Sequence, residues 1–95
     1  MSTESGRKTE KYLNCYEVML DYWSNEEGDT HLMADYRELL QDDFEALTNP
    51  EKSRLSALDA KAKALLDAYH GDETWDVKML RQVVAIAYPE YRQVA

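Results

Sequence analysis

His31 and Asp35 are the side chains whose types and spacing come closest to a chemical site. Four residues apart on a helix, they share one face, where an imidazole and a carboxylate can bind the same metal ion. Glu27 and Asp29 lie just before them. Metal-dependent hydrolysis centred on His31 is therefore the sharpest catalytic hypothesis, although the sequence does not define a third and a fourth ligand.

No other pattern indicates catalysis. The sequence has no glycine-rich phosphate loop, no nucleophile paired with a base and no multi-cysteine zinc motif. Its one cysteine, Cys15, lies in an apolar helical stretch and is more typical of a small core residue than of a nucleophile. We therefore predict a protein that is not an enzyme and has no cofactor or metal centre.

Carboxylates dominate the first half of the chain. The formal net charge is -8, and residues 17–51 hold eleven acidic side chains against one base, Arg37. A field of this sign repels nucleic acid and anionic membranes and attracts a basic protein. A surface that only keeps the protein soluble is the alternative explanation.

Four of these carboxylates recur at spacings of three and four residues, which places them on one face of a helix. They are Asp35, Glu38, Asp42 and Glu45. Only Arg37 is near enough in sequence to offset their mutual repulsion. We predict that this acidic face, extended by the preceding loop, holds a basic partner protein, including one that itself binds nucleic acid. The chain would then be a regulator, inhibitor or adaptor. The predicted partner-binding residues are Glu26, Glu27, Asp29, Asp35, Glu38, Asp42 and Glu45.

The apolar spacing predicts four helices, separated by short polar segments. They run from about Lys8 to Trp23, from Asp29 or Thr30 to Leu47, from the capping box at Thr48 to His70, and from Asp72 or Thr74 to Tyr88. Short connections favour antiparallel neighbours. The predicted fold is all-α: a compact, four-helix bundle-like single domain with up-down antiparallel connections.

Ninety-five residues fit one hydrophobic core. We predict a disordered N-terminal segment (1–7), one helical domain (8–88) and an extended or frayed C-terminal tail (89–95). The segment from Tyr88 to Arg92 could be a short docking peptide, but a helix stop followed by an ordinary terminus is the favoured explanation. The N-terminus does not resemble a secretory signal, and no apolar run approaches the roughly 20 residues that span a bilayer. We expect a cytoplasmic protein.

The first helix has a wider apolar arc than a surface helix of a four-helix monomer requires. Cys15, Val18 and Tyr22 lie to one side of its core face. Either this helix is central, or its second side contacts another chain. In the second case the protein is a homo-oligomeric assembly subunit, with a homodimer as the simplest form and these three residues at the interface.

The second helix sets the orientation of the acidic face, so its core positions matter. The spacing predicts that five side chains face the core, with Leu32 and Leu39 flanking them. The five are Met33, Tyr36, Leu40, Phe44 and Leu47.

Overall fold

A computed structural model describes residues 3–23 and 30–92, with side chains described from Lys8 onward. Predictions for residues 1–2, 24–29 and 93–95, including those for Glu26, Glu27 and Asp29, lie outside the described residues. The described part is all-α, which confirms the predicted fold class. Its helices are α1 (Thr3–Asp21), α2 (Thr30–Asp42), α3 (Asn49–Ala68) and α4 (Trp75–Ala87), with 3₁₀ helices at Phe44–Ala46 and Pro89–Tyr91.

The predicted caps of α3 and α4 are present. The Thr48 hydroxyl accepts a hydrogen bond from the Glu51 backbone N–H at 3.3 Å, and the Glu51 carboxylate accepts one from the Thr48 N–H at 2.9 Å. The Thr74 hydroxyl accepts from the Val77 N–H at 3.3 Å. These bonds satisfy backbone donors that have no partner within the first helical turn, so both helix starts are fixed by local sequence.

Two helix boundaries differ from the prediction. Helix α1 begins at Thr3, earlier than expected. Helix α2 ends at Asp42, and a 3₁₀ helix takes the place of its expected last turn. The backbone of Leu47 is extended and its side chain is only 5% exposed. The chain thus buries this leucine and turns before the cap of α3. No breaker residue marks the change, and tertiary packing overrides helix propensity here.

Contacts between side chains fix the directions of the helices. Arg54 of α3 bonds to Asn14 and Glu17 of α1, and farther along both helices Lys61 bonds to Asp21, so α1 and α3 run parallel. Helices α2 and α4 also run parallel, because their first turns are joined by a 2.8 Å hydrogen bond from the Thr30 hydroxyl to Asp76. Both parallel pairs agree with the predicted up-down arrangement, in which alternate helices run in the same direction.

The order around the bundle is α1, α2, α4, α3. Helix α1 packs against α2 and α3, and α4 packs against the same two helices. Helices α2 and α3 thus occupy opposite corners, and their connection crosses the end of the bundle. Side chains that join these two helices must pass through the centre.

A buried ion pair makes that connection. Arg37 of α2 donates from Nε and Nη2 to the two carboxylate oxygens of Asp59 on α3, at 2.9 Å each. The Tyr16 hydroxyl of α1 donates to Asp59 Oδ1 at 2.7 Å, and Arg37 Nη1 donates to Gln41 at 3.1 Å. Arg37 and Asp59 are 2% and 5% exposed. Burial and the adjacent Asp59 carboxylate raise the pKa of Tyr16, which therefore remains a neutral donor.

This pair changes which face of α2 is buried. Met33 and Leu40 are in the core as predicted, but Ala34 and Arg37 are buried with them. Phe44 is partly buried and packs against the core, whereas Tyr36, also expected to face it, is only partly buried and lies outside the core cluster. The buried face of α2 is therefore rotated from the purely apolar one.

The last described residues contact α3. Where an extended segment was expected, Pro89–Tyr91 forms a 3₁₀ helix. The Tyr91 hydroxyl donates to Asp67 Oδ1 at 2.8 Å, and the Lys63 ammonium lies 5.9 and 5.6 Å from the ring centres of Tyr88 and Tyr91. Both tyrosines are engaged within the chain, which disfavours a free docking peptide.

Removing one member of the central ion pair is expected to be costly. Asp59→Leu leaves a buried guanidinium without its counter-ion and should lower the free energy of unfolding by about 3–5 kcal/mol. The double variant Arg37→Met, Asp59→Leu should recover most of that loss. Urea denaturation followed by circular dichroism measures both. Asp21→Asn, in an exposed pair, is the control and should cost less than about 1 kcal/mol. An equally small loss for Asp59→Leu would contradict the role of the pair.

The contact between Tyr91 and Asp67 predicts a pH effect. The Tyr91 hydroxyl, and next the Lys63 ammonium, lower the pKa of Asp67. Because the folded-state pKa is depressed, this contact stabilises the fold above the unfolded-state pKa, and the stabilisation is lost as pH falls through the folded-state value. Tyr91→Phe should raise the pKa of Asp67 toward its ordinary value in an NMR titration of the carboxyl carbon. An unchanged pKa would show that Tyr91 is not docked in solution.

Candidate protein-binding surface

Four of the seven acidic residues predicted to bind a partner lie among the described residues, and all four are exposed. Asp35, Glu38 and Asp42 are exposed on α2, and Glu45 is exposed on the 3₁₀ helix that follows. Within residues 8–23 and 30–92, none of the four forms an ion pair. The structure therefore keeps three of them on one helix, and Glu45 extends the set beyond its end.

Acidic residues elsewhere in the described chain are neutralised more often. The carboxylates of Glu17, Asp21, Asp67 and Glu73 are each paired with a lysine or an arginine of α3 or α4. Arg37, which the sequence suggested as the local counter-charge of the acidic face, instead points inward and is neutralised by Asp59. The outer side of α2 therefore has a stronger negative field than the sequence implied.

Leucines lie among these carboxylates. Leu32 and Leu39, expected to flank the core, are each 39% exposed. Together with Asp35 and Asp42 they follow spacings of three, four and three residues, which align all four on the outer side of α2. We call Leu32, Asp35, Leu39 and Asp42 the outer line of α2. Its alternation of apolar and acidic side chains suits a partner that presents both apolar and basic groups.

Helix α1 borders this surface. Of the residues predicted to form an oligomer interface, Val18 is 55% exposed and Tyr22 is 78% exposed, while Cys15 is partly buried. A hydrogen bond with the Cys15 thiol is the main cause of a raised pKa at Tyr36 of α2. The tyrosine rings of residues 12 and 36 are also 5.8 Å apart, so Cys15 belongs to the seam between α1 and α2. Val18 and Tyr22 remain available to a partner.

A groove along α4 is a feature that the sequence did not predict. It has a volume of about 450 Å³ and lies beside Glu38 of α2. Its lining combines apolar side chains with three bases, two of which are on α4 and the third after the final 3₁₀ helix. The groove requires the C-terminal segment to fold back, which periodicity along α4 does not reveal. The bases are Lys78, Arg81 and Arg92.

The His31 metal hypothesis gains no support from the geometry. His31 is exposed near the start of α2, with its ring 5.8 Å from that of Trp75. Among the described side chains, no group of three histidine, cysteine, aspartate or glutamate residues is close enough to hold a metal ion. Glu27 and Asp29, which were to complete the site, lie outside the described residues.

No protein-family model, curated protein or solved structure matches this chain. None of the described helices has the length and apolar character needed to cross a membrane.

The rotation of α2 can be tested with two adjacent leucines. Leu40 is fully buried, so Leu40→Ala should lower the free energy of unfolding by about 2–5 kcal/mol. Leu39→Ala changes an exposed side chain of the same type and should cost less than about 1 kcal/mol. Chemical denaturation of the two variants measures the difference. Equal losses would mean that the outer line of α2 faces the core.

Proposed function

We propose that the chain is a non-catalytic protein-binding module, a regulator, inhibitor or adaptor, that holds a basic partner protein through the outer side of α2. One observation carries the proposal: unpaired carboxylates alternate with exposed leucines on a helix whose only arginine is buried and neutralised. Carboxylates in a merely solubilising surface would not need to alternate with exposed leucines.

The two kinds of side chain would have different roles in the complex. Burial of Leu32 and Leu39 would supply most of the affinity, at about 25 cal/mol per Å² of apolar surface. Asp35, Asp42 and Glu45 would attract the partner's lysines and arginines, speed association and set the orientation. A basic amphipathic helix presents both apolar and basic side chains, at a helical spacing that matches that of the leucines and carboxylates of α2.

The sign of the field also limits the partners. Exposed carboxylates repel the phosphates of nucleic acids, so direct binding to DNA or RNA is disfavoured. If the partner is itself a nucleic-acid-binding protein, the module would cover the same basic surface and compete with the nucleic acid. The lone cysteine fits a reducing compartment, and we place this activity in the cytoplasm.

A second candidate function is assembly with copies of the same chain through α1. The exposure of Val18 and Tyr22 favours it, since both are large apolar side chains with no role in the monomer's core. The dependence of association on salt concentration distinguishes the two candidate functions. A complex held by the acidic side of α2 should weaken as ionic strength rises, whereas an apolar α1 contact should not.

The proposed function can be tested with a labelled synthetic peptide of about 18 residues, long enough for about five helical turns, with a leucine face and a lysine face. We expect binding by fluorescence anisotropy. The triple variant Asp35→Asn, Asp42→Asn, Glu45→Gln neutralises three acids on α2 and the 3₁₀ helix that follows it. It should bind the peptide about tenfold more weakly, because three attractive contacts are lost.

The matched control removes the same number of charges elsewhere. Glu10, Asp72 and Glu90 are exposed and lie outside the candidate surface, so Glu10→Gln, Asp72→Asn, Glu90→Gln should change affinity less than about twofold. A peptide of the same composition with scrambled faces should bind more weakly than the amphipathic one. Equal weakening by the two triple variants would reduce the effect to net charge and refute the proposed site.

A further inference from the structure

The α4 groove differs in charge from the rest of the protein. The chain carries a formal net charge of -8, but the groove has three bases and one acid, Glu38. Arg81 is paired with Glu73, to whose two carboxylate oxygens its Nη2 donates at 2.7 and 3.1 Å, and its Nε is buried with no hydrogen-bond partner in the described part of the chain. Lys78 and Arg92 form no ion pair with described residues. The groove therefore offers unsatisfied positive charge.

The same groove exposes apolar surface. Trp75 is 50% exposed at one end, and Met79 and Ile86 are partly exposed along the lining. A tryptophan beside cationic side chains is typical of the residues that anchor protein interfaces. The occupant that fits this groove must be both acidic and apolar.

Such a surface is present on the chain itself, in the outer line of α2. We infer that the α4 groove of one copy binds the outer line of α2 of a second copy, giving a two-fold symmetric homodimer. Asp35 and Asp42 meet the bases of the groove, and Leu32 and Leu39 pack against its apolar side chains. This contact differs from self-association through α1, because it leaves Val18 and Tyr22 outside the interface.

The arrangement of the helices allows the dimer to close. Helices α2 and α4 run parallel and pack against each other, and Glu38 lies where the acidic side meets the groove. A two-fold axis that runs parallel to both helices, along this boundary and between the two copies, places the α2 of each copy over the α4 of the other. Both contacts form at once, so neither the α4 groove nor the outer line of α2 is left open to recruit a third copy.

The energetics predict a weak dimer. Each helix has 13 residues and is about 20 Å long, so the paired face is smaller than the roughly 800 Å² per partner of a standard interface. Two chains of charge -8 also repel each other over long distances, while the complementary contacts act at short range. We therefore expect association in the micromolar range, driven mainly by the apolar side chains. The dimer covers Asp35 and Asp42 and competes with the proposed basic partner.

Charge reversal tests the pairing directly, using sedimentation velocity of the full chain. The α2 variant, Asp35→Lys, Asp42→Lys, presents bases on both faces, and the α4 variant, Lys78→Glu, Arg92→Glu, presents acids on both. Each variant alone should be monomeric at concentrations where the unmodified chain is dimeric. An equimolar mixture should restore the dimer, since both contacts then join opposite charges.

The rescue cannot come from a general electrostatic attraction between the two variants, because both have a negative net charge. Each substitution changes the charge by two, so the α2 variant has a net charge of -4 and the α4 variant -12, and the mixed chains still repel overall. Lys8→Glu, Lys11→Glu also has a net charge of -12 but leaves the groove intact, so it should dimerise alone and should not rescue the α2 variant. Circular dichroism verifies that every variant is folded.

The remaining outcomes decide against the inference. A monomeric unmodified chain up to about 1 mM, where even weak association of about 4 kcal/mol becomes visible, would overturn it. Loss of the dimer on Val18→Lys, with no effect of the α2 and α4 variants, would assign the contact to α1 instead. Neither result bears on the proposed function, which the peptide titration tests at chain concentrations below the dimer range.

Discussion

The buried ion pair between Arg37 and Asp59 is the constraint on which the rest of the structure depends. A guanidinium in a core is tolerated only when its charge and its donors are matched, and Asp59 satisfies both with two parallel hydrogen bonds. Tyr16 adds a third donor to the same carboxylate. Because these side chains come from α1, α2 and α3, the pair fixes the rotation of three helices at once and joins the two at opposite corners of the bundle.

That rotation also creates the candidate surface. With Arg37 directed inward, Asp35, Leu39 and Asp42 point outward, and the only base of α2 is withdrawn from the solvent side. Had α2 turned its purely apolar face inward, Leu39 would lie closer to the core and Arg37 would lie beside the carboxylates it was expected to offset. The same interaction therefore stabilises the bundle and leaves the acidic face unneutralised.

Much of the fold follows from local sequence. The caps at Thr48 and Thr74 and the alternating directions were predictable, because capping chemistry and short connections act over a few residues. The rotation of α2 was not, since an arginine within a helix is ordinarily a surface residue. A signal was nevertheless present: Asp59 is the only charged position on the apolar face of α3, which indicates a buried partner of opposite charge. The residues that surround it on that face are Leu55, Leu58, Ala62 and Leu66.

The groove on α4 could not be predicted from the sequence, for a different reason. Lys78 and Arg92 line one groove because the chain turns at the 3₁₀ helix Pro89–Tyr91, where Tyr91 is hydrogen-bonded to Asp67. The result is a basic, apolar groove beside an acidic, apolar helix face on one molecule. The two surfaces lie side by side on parallel helices and meet at Glu38, and among the described residues no ion pair joins the carboxylates of α2 to the bases of α4. A second molecule can bring the two surfaces together, and this is why the complementary charges favour association between chains over ion pairs within one.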